Sequence, residues 1–329
     1  MKKKIISIFL AATMIMGTLS GCGNTKNTST EQLSKDDYSK YFTTVDNYIS
    51  KDIKYIQLDY TLDGNIDINT DESPNQINLN NCKSKIIIPL GKNNTNVYEN
   101  LSLDTETITF ALIDDYIYNS VNNTKDDSQN FSEKIKVDDY KTGYSNSSSN
   151  SESSMFSAVD LDSLETDGHD NFISILNTAS LYDTDKTYTY KETKTIDDKT
   201  YDILTSDEKS KNDDSNVSTE YYYYVNTKTN LLDKIDTDII YKDKTLTITC
   251  NVSYLKDIKV DNESSYNDTS YDDFSSSFST SIFALAIGQI YFKPDTYKTF
   301  LSNMDNNTES STENMVEDLT EIETETVLN

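Results

Sequence analysis

The 329-residue chain has no arginine or tryptophan, one histidine, 3 prolines, 8 glycines and 3 cysteines. Each shortage excludes something. Nucleotide-binding α/β folds spend glycine at their phosphate turns, and so few glycines argue against one. Without arginine the chain lacks the side chain that reads phosphate bidentately. His169, between Asp167-Gly168 and Asp170, is the one residue on which a Ser-His-Asp site could be built, and its surroundings read as an exposed turn. No Gly-x-Ser-x-Gly elbow occurs. Two distant cysteines and one histidine are too few for a metal site. Apolar residues make up 35% of the chain, tyrosines included, below the roughly 45–50% of a packed domain. Part of the chain is therefore expected to be solvated.

Acid is abundant: 56 Asp+Glu stand against 29 Lys, a formal charge of −27. Such a surface repels nucleic acid and anionic headgroups, so no nucleic-acid partner is expected. The strongest local signal is at the start. Lys2, Lys3 and Lys4 precede an apolar run from Ile5 to Leu19, which ends in Leu19-Ser20-Gly21-Cys22. A basic start, a short apolar core and small residues at the end make a secretory signal, and the core is short for a bilayer span of ~20 residues. Leu19-Ser20-Gly21-Cys22 resembles the lipobox of bacterial lipoproteins at all four positions. That resemblance implies cleavage after Gly21 and diacylglycerol attachment at Cys22. Residues 1–21 would then be the signal peptide and 22–30 a polar tether. The membrane becomes a partner through the lipidated N-terminus. The implied location is the outer face of the bacterial cytoplasmic membrane, and two acyl chains suffice for stable anchoring.

Beyond the tether, Leu33, Tyr38, Tyr41, Phe42, Val45, Tyr48 and Ile49 recur at helical spacing and predict an amphipathic helix over 31–52. Period-two alternation then predicts strands over 53–62, around Ile86-Ile87-Ile88, and over 97–103, 107–113 and 116–118, with a slip near Tyr55. Residues 145–154 hold seven Ser, two Asn and one Glu. Such a run cannot offset its ordering entropy by burial, and a mobile insertion is expected near 120–155. A helical pattern over 156–182 leads to a second meander from Lys186. Its turns are Ile196–Thr200, Asn226–Asn230 and Lys242–Lys244, and its cleanest strand places Leu246, Ile248, Cys250 and Val252 on one face. The apolar run Ile282–Phe292 predicts a buried helix or strand. The tail, 304–329, has eight acids and no lysine from Asp305 on and is expected to be disordered.

The hairpin textures Thr193–Leu204 and Tyr223–Ile235, in the order tether, helix, meander, helical break, meander, are similar to the LolA-like lipoprotein-carrier superfamily and its lipid-binding lipoprotein relatives. The resemblance implies an α+β fold over residues 31–303: a curved antiparallel sheet, an incomplete barrel, with helices on its concave face. It also implies a lipid or other hydrophobic ligand between sheet and helices. The alternative is an anchored surface protein that acts through protein contacts and has no ligand cavity. On either reading the chain is expected to be no enzyme, with no cofactor and no catalytic residue.

Four further features have two readings each. Cys82 and Cys250 either pair or sit as two buried thiols. Asp63-x-Asn65-x-Asp67-x-Asn69-x-Asp71 has calcium-loop spacing without the sixth-position glycine, and in a strand it is a solvent face. Tyr221–Tyr224 could meet sugars or headgroups, but alternation in a strand puts half of it in the core. Phe283, Leu285, Ile287, Tyr291 and Phe292 either complete a dry core or border a ligand cavity.

Overall fold

The structure, a computed structural model, describes residues 52–64, 81–90, 96–148, 188–209, 217–241, 244–294 and 296–297. Cys22, all but Asp52 of the helix expected over 31–52, the acidic ladder beyond Gly64, the 156–182 pattern, His169 and the tail lie outside them.

Twelve strands form one unclosed, curved sheet. Six come from the first half: β1 (Tyr55–Gly64), β2 (Lys83–Pro89), β3 (Val97–Leu103), β4 (Glu106–Ile113), β5 (Tyr116–Asn123) and β6 (Phe131–Lys136). Helix α1 (Val137–Ser148) follows. The second half supplies β7 (Thr189–Ile196), β8 (Lys199–Lys209), β9 (Val217–Asn226), β10 (Leu231–Tyr241) and β11 (Lys244–Leu255). A two-residue strand, β12 (Asn267–Asp268), and helix α2 (Tyr271–Gln289) complete the elements. The spatial order is β12-β6-β5-β4-β3-β2-β1-β11-β10-β9-β8-β7.

The first meander runs outward from the centre, and the second runs inward from the opposite edge. They meet at β1 and β11, paired antiparallel from Tyr55↔Leu255 to Gly64↔Leu246. Two stretches that the sequence presents as separate meanders are therefore halves of one sheet. The expected curved, unclosed sheet is present and mostly antiparallel, while the α+β expectation is corrected in its helix content: the described residues are mainly β, with two α-helices. The expected mobile insertion near 120–155 differs as well. Residues 120–148 hold the end of β5, all of β6 and α1, and the serine run begins inside the last turn of α1.

Few glycines are needed because the turns use aspartate and asparagine. Asp104, Asp114, Asp197, Asp198, Asn230 and Asn262 all have positive φ, and no described glycine does. Asp and Asn tolerate the left-handed region because their short side chains bond locally. At Asp197-Asp198 both φ values are positive (47° and 62°), which matches the twist of a two-residue hairpin between β7 and β8.

The inner face carries the main core. Ile56, Leu58, Tyr60 and Leu62 of β1 sit beside Leu246, Ile248, Cys250 and Val252 of β11, all buried. Tyr223 is buried at 3% exposure and Tyr221 packs against the same core, while Lys191 and Lys234 lie over the rings of Tyr222 and Tyr224. The tetratyrosine thus divides between faces, as strand alternation requires.

A second cluster explains why alternation fails at Tyr55-Ile56 and Ile86-Ile87-Ile88. Tyr55, Ile87, Tyr98, Ala111, Ile113 and Tyr118 bury on the outer face under Ile258, with Leu255, Val260 and Tyr266 packed alongside. After β11 the chain crosses this face as a strap. Tyr118 Oη donates to Glu263 Oε1 at 3.0 Å, and the Tyr118 and Tyr266 rings meet edge to face at 5.3 Å. At the sheet edge β12 pairs parallel with β6. The chain then turns under the edge and returns along the inner face as α2, so strap and helix grip β3–β6 from both sides.

Candidate functional site

Helix α2 is positioned by a stripe of Phe274, Phe278, Ile282 and Leu285, each 7% exposed or less. Asp272 and Asp273 in its first turn suit the positive end of the helix dipole. Phe278 meets Phe110 at 5.5 Å, Phe274 at 5.2 Å and Tyr140 of α1 at 5.8 Å between ring centroids. Gly288 lies so close to β3 that a Cβ there would sit 2.0 Å from the Leu101 side chain. Beyond the helix Phe292 packs on Tyr60, centroids 5.9 Å apart. Leu285 and Phe292 thus join the core, with Tyr291 partly buried against it. The side chains of Phe283 and Ile287 lie outside the described set.

Beside that stripe runs a row of small polar residues. Across β4, β5 and β6 the inner face presents two successive rungs. One is Phe110, Asn119 and Glu133; the next is Ile108, Val121 and Phe131. Ser277 lies over the first, donating to Phe274 O at 2.9 Å and bonding Glu133 Oε1. Asn119 Nδ2 donates to the same carboxyl oxygen at 3.2 Å. Burial, the largest influence, raises the Glu133 carboxyl above the ordinary carboxylate range; its bonds to Ser277 and Asn119 oppose this, and the charge of Asp273 adds to it.

Between the second rung and α2 opens a cleft of about 380 Å³. Ile108, Val121, Phe131 and Ala284 form its apolar wall, and Glu106, Asp273, Thr280 and Ser281 are among its polar lining. Ser281 is 1% exposed and Asn119 is 0% exposed. Ser281 Oγ and Asn119 Oδ1 have no hydrogen-bond partner. A buried polar oxygen left unpaired costs roughly 1–3 kcal/mol, so Ser281 in the cleft lining and Asn119 on the neighbouring rung each need an explanation. Sequence reasoning missed this site. Its one usable signal was the polar row Ser277, Thr280 and Ser281 beside the apolar stripe.

Stability should therefore depend on pH through Glu133. A carboxyl whose folded pKa lies above its unfolded value stabilises fully below the unfolded pKa, and that contribution disappears as pH rises through the folded pKa. Glu133→Gln, uncharged throughout, is expected to gain stability relative to the parent as pH climbs from 4 to 8, read as the difference between their melting temperatures. A difference that grows toward pH 4 would contradict the assignment.

Cys82 and Cys250 are both buried and form no disulfide with each other, so the two-thiol reading holds. Burial, the largest cause in each case, pushes Cys82 up to about 11 and Cys250 up to about 12. Among the described residues no group of three or more His, Cys, Asp and Glu could hold a metal ion, and no helix is long and apolar enough to cross a membrane.

No protein-family model matches the chain, and no curated protein matches it. Among solved structures it is similar to the lipoprotein LppX of Mycobacterium tuberculosis at 9% identity and a TM-score of 0.30, over 66% of this chain and 98% of that one. It is also similar to a DUF1329 family protein from Desulfovibrio piger at 12% identity and a TM-score of 0.23, over 66% and 91%. Likeness this weak fixes neither a family nor a ligand.

Proposed function

We propose that this chain is a lipid-anchored, extracytoplasmic bacterial lipoprotein that binds a small hydrophobic ligand rather than transforming a substrate. The observation that carries the ligand reading is the cleft beside α2, where an apolar wall faces the buried, unpaired hydroxyl of Ser281. The anchor rests on Leu19-Ser20-Gly21-Cys22 behind its basic and apolar leader, together with the two-chain requirement for stable membrane attachment. An open sheet edge with a helix laid across only part of the inner face leaves such a cleft beside the helix. One observation favours the alternative, an anchored protein acting through protein contacts: Leu285 and Phe292 pack into the core of the inner face, the dry-core one of their two readings.

Cys22→Ala is the direct test of the anchor. It should abolish incorporation of labelled fatty acid and move the protein from the membrane fraction to the soluble one. Unchanged labelling and membrane retention would refute attachment at Cys22. For the ligand, native mass spectrometry of the mature protein should show a bound small molecule in excess of the lipidated mass. The bare lipidated mass alone supports the protein-contact reading.

A further inference from the structure

The hydrogen-bonding inventory of the cleft goes one step further, resting on the reading that the cleft binds a ligand. Two of the hydroxyl protons that α2 brings to the cleft are already committed. Ser277 Oγ donates to Phe274 O and Thr280 Oγ1 donates to Ser276 O at 3.3 Å. What these groups still offer is lone pairs. Glu106 and Asp273 add carboxylates, which accept only, while Gln129 and Ser276, also in the lining, can donate as well as accept. Ser281 Oγ, which can give or accept, is unpaired. Among the described residues no lysine lines the cleft. A rim with two carboxylates and a buried, unpaired hydroxyl beside an apolar wall favours a ligand that brings positive charge. It repels a fatty acid or an anionic headgroup.

We propose that the cleft between α2 and the Ile108–Val121–Phe131 rung takes a cationic amphiphile: one short alkyl chain against the apolar wall, and an ammonium head among Ser281 and the carboxylates of Glu106 and Asp273. The head satisfies the Ser281 oxygen, which otherwise stays buried and unpaired.

Octylammonium, octanol and octanoate share one chain and differ only in the head. Calorimetry on the purified full-length protein should give one saturable octylammonium site per chain and octanoate binding weaker by at least about tenfold. Ser281→Leu fills the cleft without changing charge and should abolish that site. Ser281→Ala, which leaves the space open, should weaken octylammonium about tenfold. Three results overturn the proposal. If octanol or octanoate binds as tightly as octylammonium, the head assignment fails while the cleft stands. If octylammonium binding survives Ser281→Leu, the attraction belongs to the acidic surface. If none of the three binds, the ligand reading of the cleft fails with it.

Discussion

Replacing Phe278 by Ala is expected to cost about 3–5 kcal/mol, the range for truncating a buried aromatic ring. The ring is fully buried and touches Phe110 of the sheet, Phe274 one helical turn away and Tyr140 of α1. It is the point where sheet and both described helices converge. Neighbours on three sides are held by separate elements and cannot all collapse into the void, so the upper part of the range is expected. For a domain of this size the melting temperature should drop by roughly 10 °C. Urea unfolding should show a lower midpoint with an unchanged slope. Phe278→Leu, which keeps most of the volume, should lose far less. A loss below about 1 kcal/mol for the alanine variant would mean that α2 is not seated by this ring.

The second large effect belongs to the outer strap. Ile258 is 6% exposed and sits over Tyr55, Ile87, Tyr98, Ala111, Ile113 and Tyr118. Ile258→Asp places an unpaired carboxylate against those side chains, at a cost of several kcal/mol. The strap can escape that cost by lifting off, because its other polar ties lie mostly near its ends or at the surface: Lys256 to Asp52, Tyr118 to Glu263, Ser120 to Tyr266 at 3.3 Å, Asn267 to Ser132 O at 3.4 Å, and the two-residue pairing of β12. Hydrogen exchange should therefore show residues 256–268 losing protection while the β1–β11 amides keep theirs. Equal protection of the strap in variant and parent would show that Ile258 does not hold it down.

How legible this was in the sequence depends on which face a residue serves. Strands with one buried face were readable: Leu246, Ile248, Cys250 and Val252 alternate cleanly and share the inner face. Where the strap covers the outer face as well, alternation disappears, which is why Tyr55-Ile56 and Ile86-Ile87-Ile88 looked like slips. The join of the two meanders was not readable, because pairing between β1 and β11 leaves no local mark in either strand. The serine run misled in its first residues: Tyr140, buried against Phe274 and Phe278, holds a helix that composition alone disfavours. The cleft was harder still. Its apolar wall comes from β4, β5 and β6, its polar side from α2, and only the register places Ile108, Val121 and Phe131 on one rung.

The pairing of Tyr55 with Leu255 has a kinetic meaning. A strand near the start of the described chain waits for a partner made almost two hundred positions later, and such distant contacts slow assembly. During synthesis β1 has β2 on one flank only, with the N–H and C=O groups of its other flank unpaired. Unpaired strand flanks are templates for aggregation. Any truncation that stops short of Leu255 leaves that vulnerability permanent, so quality control of the nascent polypeptide turns on the arrival of one late strand.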